Sequence, residues 1–349
     1  MKGFYQYLAP FAPDYSGAVG VLFGMGGLVV LCDPGGCSGN VCGYDEPRFY
    51  GGSQALYSAA LRDMDTIFGK DDLLERKILL AASERDYRFI ALVGTPVVSV
   101  IATDLKGLCR LLSRKTGLPV ISVDTNGMDL YDRGAQKAWT ALLNLMDRPR
   151  AAGGEPECVG VLGAAPLDMP SRLSLDAFRE CVCAALPGEP VRFYGTLEPM
   201  VCVTRHVVVS PSGLKAARAM RDRWGIPYSV SFPMNPEFGR VLKELDRIGA
   251  APEKILVVHQ QVLADGLRRH ILARGGSSVE VGSWFIMDGE LTVPGDLSFS
   301  DEDEFVETAE KGGYGLIIAD PLMRRALKNF KGRFIDLPHF AVSGDLFSW

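Results

Sequence analysis

Several things are missing from this chain of 349 residues, and each absence narrows what it can do. It has no block of basic residues and its net charge is −5, so a nucleic-acid partner is not expected. The opening Met-Lys-Gly-Phe-Tyr-Gln-Tyr lacks a charged region followed by a long apolar one, so it does not read as a signal peptide. The longest apolar stretch, residues 17–31, is broken by glycines and is too short to span a bilayer. A cytoplasmic location is therefore the expectation. There is no Gly-x-x-x-x-Gly-Lys-Ser/Thr. The string Gly20, Gly24, Gly26, Gly27 resembles a phosphate loop only superficially, so the chain is not expected to be an ATPase itself. Histidine is scarce, with four in all. His206, His259 and His270 are scattered at no ligand spacing and read as structural, although His259 ends a predicted strand and so faces any pocket there.

What is present is ordinary in bulk. The hydrophobic fraction is 47% and the charged fraction 23%, which suits a globular chain of two or three domains with a large core. The unusual feature is cysteine. Of eight in the chain, Cys32, Cys37 and Cys42 fall at equal spacing in Leu31-Cys-Asp-Pro-Gly-Gly-Cys-Ser-Gly-Asn-Val-Cys-Gly43, directly after an apolar run. In a reducing compartment such clustering points to ligands rather than disulfides. The glycines, Gly35 and Gly36 among them, let the backbone bend close to an inorganic centre. A [4Fe–4S] cluster takes about four ligands, so a partner would supply the fourth; tetrahedral zinc is the competing occupant. The bland alternative is small thiols packed under a turn. Asp33 reads either as an oxygen ligand or as the residue that closes a turn with Pro34. Cys181 and Cys183 are two apart on a predicted helix and so face apart. Cys109, Cys158 and Cys202 read as core.

Apolar runs alternate with helical patterns along the chain. Strands are expected at 27–31, 88–93, 120–124, 158–162, 191–194, 206–209, 254–259, 278–281, 315–319 and 333–335. Helices are expected at 53–68, 104–116, 134–146, 173–186, 213–224, 238–249, 262–274, 305–311 and 321–330. Asp104 reads as a helix N-cap and the acidic run 301–304 as another. The Pro/Gly-rich stretch 148–156 reads as a linker. This pattern predicts an α/β protein of three Rossmann-like domains, each a mostly parallel sheet flanked by helices, around a central cleft. The domains are drawn at 1–152, carrying the cysteine loop, 153–233 and 234–349. Cys32, Thr95, Asp124, Gly163 and Ser210 all fall at predicted strand ends, where such sheets bind ligands.

Taken in order, the segments resemble component 1 of the nitrogenase family, which includes dark-operative protochlorophyllide reductases and the reductive cyclase of nickel-tetrapyrrole biosynthesis. Leu31-Cys-Asp-Pro-Gly-Gly-Cys37 resembles the family's His-Gly-Pro-x-Gly-Cys, whose cysteine binds a cluster. The segments 93–105, 119–127, 159–163, 212–228 (ending Trp-Gly-Ile-Pro-Tyr) and 253–258 resemble family segments in the same order. The resemblance implies an oxidoreductase that binds an iron–sulfur cluster at Cys37, with Cys32 and Cys42 in place of other ligands. It also implies a homodimer or a heterodimer with a related component 1 chain. Electrons would come from an ATP-dependent iron protein, and the substrate would be an unsaturated small molecule or a tetrapyrrole. The departures are specific. No cysteine stands near residues 12–16, where the family has a ligand, and the family's Cys-Pro is Thr95-Pro96 here. Thr95 is then a candidate hydrogen-bond donor beside the loop. His339 lies near where one nitrogenase subunit has a cofactor-binding histidine. The catalytic residues stay unassigned. Two other readings remain open: a scaffold or carrier for metal-cluster assembly without turnover, and a binding module that kept the fold and lost the metal.

Overall fold

A run of four apolar residues that shows no alternation belongs to a strand buried on both faces. Leu28–Leu31, Ile90–Val93, Val159–Leu162, Ile255–Val258 and Leu316–Ala319 are such runs, and every residue in them is buried. In a computed structural model, which describes residues 5–51, 55–62, 71–146, 158–171, 173–194, 198–248, 254–275, 278–344 and 346, they form the middles of three parallel sheets. The first holds β1 (Leu28–Leu31), β2 (Ala55–Ser58), β3 (Ile90–Val93) and β4 (Val120–Val123) in the order β2-β1-β3-β4. The second holds β5 (Val159–Leu162), β6 (Val191–Arg192), β7 (Arg205–Val208) and β8 (Tyr228–Val230) in the order β6-β5-β7-β8. The third holds β9 (Ile255–Val258), β10 (Val279–Ser283), β11 (Leu297–Ser298), β12 (Leu316–Ala319) and β13 (Arg333–Asp336) in the order β11-β10-β9-β12-β13. Every strand pair is parallel, as between β1 and β3, where Leu28 faces Ile90 and Leu31 faces Val93.

In each sheet the winding reverses beside the first strand, between β1 and β3, β5 and β7, and β9 and β12. Parallel sheets open a crevice at the carboxyl ends there. Cys32, Thr95, Asp124, Gly163 and Ser210 do lie just past the ends of β1, β3, β4, β5 and β7. The sheets are not separately cored. One apolar cluster joins Val29 and Val93 to Leu162, Val208 and Leu214. A second joins Val159 and Val207 to Val257 and Ile318. A third joins Leu8, Phe11 and Tyr131 to Val258, Trp284 and Phe340.

Helix ends follow the expected chemistry. Asp104 caps Leu105–Thr116 by accepting from Gly107 N at 2.8 Å, and Gly117 closes that helix at φ 73°. Asp301 caps Glu302–Lys311 through Glu304 N at 2.8 Å. The neighbouring Glu302 also accepts from Tyr7 N and Leu8 N at 3.0 and 2.9 Å, which pins the N-terminal segment to the third sheet.

Two drawn helices fail, and among the described residues two longer helices go unforeseen, one of them Asp71–Ala82. The helix drawn over 53–68 is strand β2 over Ala55–Ser58, paired in parallel with β1, and irregular over 59–62; residues 53–54 and 63–68 lie outside the described residues. The helix drawn over 321–330 shrinks to a single tight turn, Met323–Arg325, because Asp320 accepts from Leu322 N at 2.9 Å and sets a turn instead. A helix not foreseen, α1 (Asp14–Leu22), occupies the first half of the glycine-broken apolar run. The linker at 148–156 lies outside the described residues.

Glycine is what lets α1 exist where it does. It crosses the helix Tyr131–Leu143 so closely that a Cβ on Gly17 would stand 1.8 Å from the Tyr131 carbonyl oxygen, and one on Gly134 would stand 1.7 Å from that of Asp14. Both neighbours are backbone and cannot step aside. Gly134→Ala is expected to lower unfolding free energy by about 2–3 kcal/mol, at the upper end for overpacking, or to prevent folding. Gly39→Ala, where a Cβ meets open space, should be neutral or slightly stabilising. Urea titration of the two variants checks the contrast.

Candidate functional site

The cysteine segment is a capped turn rather than an open loop. Past β1, the carboxylate of Asp33 accepts from Ser38 N at 2.7 Å, Ser38 Oγ at 2.9 Å and Ser58 Oγ at 2.6 Å. That fixes the start of the short helix α2 (Gly36–Asn40), which runs on into a wider turn, Val41–Asp45. Of the two roles open to Asp33, the structure shows the turn-closing one. Gly35 sits at φ 123°, which an L side chain rarely adopts, and a Cβ on Gly36 would meet open space.

The three thiols are not brought together. Among the described residues, no group of three or more His, Cys, Asp and Glu side chains converges to hold a metal ion. Cys32 continues the strand, so it faces the same side as Leu28 and Val30. It packs fully buried with them in a cluster that also holds Cys109. Burial pushes its thiol up to about 12. Cys37 comes after the turn and packs against the opposite cluster, the one under α1. The equal spacing in sequence therefore does not survive the change from strand to helix.

Cys37 and Cys42 are the two partly exposed thiols of the turn. Burial raises both, and the Asp33 carboxylate raises them further, joined at Cys42 by Glu46. A hydrogen bond from Tyr15 of α1 acts the other way at Cys37. Unmetallated, these are protonated thiols at neutral pH, and a bound cation would reverse that balance. Thr95 is fully buried, and its Oγ1 donates to the Cys32 carbonyl at 2.6 Å. It braces the strand end of the segment, and its one hydroxyl proton is spent there and is not aimed at a thiol.

Acidic groups border the turn. Asp45 accepts from Ser16 Oγ and Asn40 Nδ2, both at 2.6 Å, and burial lifts its carboxyl to about 6. Glu46 is buried and held by Arg48 at 2.6 Å through Nε. Beside them opens a groove of about 830 Å³, walled by Tyr15, Asn40, Tyr44 and Asp45 on one side and by the C-terminal residues 340–344 on the other. Tyr15 and Asp45 were not foreseen; the signal was the Asp-Tyr-Ser that opens the apolar run containing α1.

A second group was missed. Where the three sheets meet, Tyr131, Asp168, Ser210 and His339 are fully buried and joined. Asp168 Oδ1 accepts from Ser210 Oγ at 2.6 Å and from Tyr131 Oη at 3.2 Å. His339 Nε2 lies 2.9 Å from the Leu167 carbonyl and 3.2 Å from Tyr131 Oη, and its ring stacks on His259 at 3.8 Å. Desolvation raises Asp168 to about 7 and lowers His339 to about 3. The central cleft expected from sequence is, at this point, filled by these side chains. Of the other cysteines, Cys158 donates to the Cys202 carbonyl at 3.6 Å, and Cys181 and Cys183 lie on the helix Leu175–Ala185.

Three parallel sheets wound in series, with a cysteine turn at the carboxyl edge of the first, define the architecture. The sequence match is specific: residues 13–257 fit the family of nitrogenase component 1 type oxidoreductases, and the chain belongs to that family. It is 26% identical over 183 residues to the nitrogenase iron-molybdenum cofactor biosynthesis protein NifE of Mesorhizobium japonicum, covering 49% of this chain and 36% of that one. It is 24% identical over 227 residues to the protein of the same name from Rhizobium meliloti, covering 60% of this chain and 47% of that one. The chain thus spans less than half the length of these curated relatives. In fold it is similar to two solved structures titled nitrogenase Cp1, at pH 6.5 and at pH 5. Their TM-scores are 0.67 and 0.68, at 11% and 14% identity, over 97% of this chain and 87% and 85% of those. Among the described residues, no helix is long and apolar enough to cross a membrane.

Thiol accessibility gives a direct check. In the native protein, alkylation followed by mass spectrometry should label Cys42 and Cys183 first and Cys37 more slowly, and should leave Cys32 and Cys109 unlabelled until unfolding. Labelling of Cys32 at the rate of Cys42 would contradict this arrangement.

Proposed function

We propose that this chain is a component 1 type subunit that holds an iron–sulfur cluster, of the [4Fe–4S] kind, through Cys37 and Cys42 at an interface with a second component 1 type chain. That second chain is a copy of itself or a relative. In this reading an ATP-dependent iron protein delivers electrons in the cytoplasm, and the assembly reduces an unsaturated small molecule or a tetrapyrrole. The unit boundaries near residues 152 and 233 belong to the same proposal.

The carrying observation is the turn 36–45. It presents two partly exposed thiols on a rigid, capped scaffold at a sheet's carboxyl edge, next to a large groove. The residues fit such a cluster in part. Two thiolates fall short of about four ligands, and Cys32 and Thr95 are committed elsewhere, so the remainder has to come from another chain. A cluster bound there would supply one-electron chemistry at low potential. This chain's own residues do the rest. Asp33 holds the turn, Gly35 and Gly36 leave its backbone uncovered, and Tyr15 offers a hydroxyl to the Cys37 sulfur. Asp45 and Glu46 place negative charge close by, which disfavours added electrons and so lowers a reduction potential.

Anaerobic purification with iron, sulfide and zinc analysis tests this. Cys37→Ala should lose at least half of the bound iron, while Cys32→Ala should keep it. Preparations that stay colourless after reconstitution, or iron that is indifferent to Cys37→Ala, would sink the proposal.

A second reading is a carrier on which a metal cluster is assembled or stored. The printed names of the two curated relatives favour it, as does the filled junction of the three sheets. Turnover discriminates: a carrier hands its cluster to an acceptor protein once and shows no repeated reduction of a substrate.

A further inference from the structure

Residues 340–344 form one wall of the groove beside the cysteine turn, and specific contacts from them and from the preceding His339 hold them there. Asp320, past the end of β12, accepts from His339 N and from Ser343 Oγ, both at 2.7 Å. Phe340 N donates to the Met169 carbonyl at 3.0 Å, and Ala12 N to that of Ala341 at 3.0 Å. The His339 side chain adds the bonds to Leu167 and Tyr131, and through Tyr131 it reaches Asp168. The Leu167 carbonyl can only accept, so the network assigns the His339 proton to Nε2. His339 Nδ1 and Asp168 Oδ2 are then buried with no partner among the described residues.

We propose that Asp168, Tyr131, His339 and Asp320 form a proton-dependent latch that fixes the 340–344 wall of the groove, and that loss of the Asp168 proton loosens it. The inference stands apart from the cluster reading, because it concerns only the wall. Asp168 is faced by Tyr131 and Asp132 from the helix Tyr131–Leu143, by Ser210 past β7 and, through Tyr131, by His339 and His259 of the third sheet. None of the groups that act on it is cationic. Asp132 is itself almost wholly buried, with Oδ1 unpartnered, and is raised to about 6. Ionising Asp168 therefore puts a second negative charge into a dry junction with nothing to balance it. Asp320 is faced by His339 N, Leu322 N, Ser343 and Asp336, and burial raises it to about 6. The sign is fixed by linkage. The native pKa of Asp168 lies above the unfolded value of about 3.9, so the stabilisation is full below about pH 4 and is lost as pH rises through about 7.

Hydrogen exchange on the whole chain, corrected for the intrinsic pH dependence of exchange, is the test. Opening of amides at 167–171, 209–213 and 339–343 should rise steeply, by up to about tenfold per pH unit, as pH approaches about 7 from about 6 and level off above it, while amides of β1 and β3 stay protected. In Asp168→Asn, which is neutral at every pH, that rise should vanish. If this variant does not fold, Tyr131→Phe removes a hydrogen bond that favours the carboxylate, and it should move the levelling-off to higher pH. Exchange of these segments that is flat with pH in the wild type, or equally steep in Asp168→Asn, overturns the latch. Iron content plays no part in the readout, so failure here leaves the cluster proposal standing.

Discussion

Two backbones touching is the constraint on which most of this molecule depends. Helix α1 and the helix Tyr131–Leu143 meet at Gly17 and Gly134 with no side chain between them. Asp14, at the first turn of α1, secures the same crossing by accepting from Asn126 N and Gly127 N at 2.9 and 2.7 Å. The near end of α1 carries Tyr15 and Ser16 to the cysteine turn. The near end of its partner carries Tyr131 and Asp132 to the junction of the three sheets. A single close approach thus fixes both polar centres relative to each other. The chain tolerates two glycines in helices there, although each costs roughly 0.5–1 kcal/mol against alanine.

The two centres share an electrostatic character. The cysteine turn is bordered by Asp33, Asp45 and Glu46, and the junction by Asp132, Asp168 and Asp320. Most of these carboxyls are satisfied by hydroxyls and backbone N–H groups instead of by cations. Such donors stabilise a carboxylate less than a guanidinium does, which is why burial wins at Asp45, Asp132, Asp168 and Asp320 and their carboxyls are raised. Arg48 beside Glu46 is the local exception. An environment of this kind suits a bound cationic centre or protonated acids, and suits exposed thiolate chemistry poorly.

The fold was largely legible in the sequence because its signals are local. Short, β-branched-rich apolar quartets such as Leu-Val-Val-Leu and Ile-Ala-Leu-Val, bounded by turn residues, favour strands covered on both faces, and Asp104, Asp301 and Gly117 mark helix ends by their own chemistry. Legibility failed where a long-range contact overrides local preference. Helix α1 was hidden because its glycines answer to Tyr131, more than a hundred residues away. Strand β2 carries helix-compatible residues, and its pairing with β1 decides the matter. The site suffered from the same limit. Equal spacing of Cys32, Cys37 and Cys42 suggests convergence only if one periodicity runs through all three. A strand end, a glycine turn and a helix intervene, and they send Cys32 to the other side of the sheet. Asp168 and Tyr131 offered no signal at all, since what makes them unusual is burial against each other.

Family membership and ligand chemistry point to a division of labour between chains. Thr95 donates its hydroxyl proton to the Cys32 carbonyl, so this residue acts as a backbone brace that keeps the strand end in place. The same economy holds at Asp33, whose oxygens are all committed to holding the turn. Asp33, Ser38, Asn40 and Asp45 are therefore occupied with maintaining shape, while Cys37, Cys42 and the glycine backbone stay partly exposed. A turn built this way is a preorganised platform, and under the proposed reading the second chain that completes the ligand set would dock in the large groove beside it, against the residues that the junction holds in place.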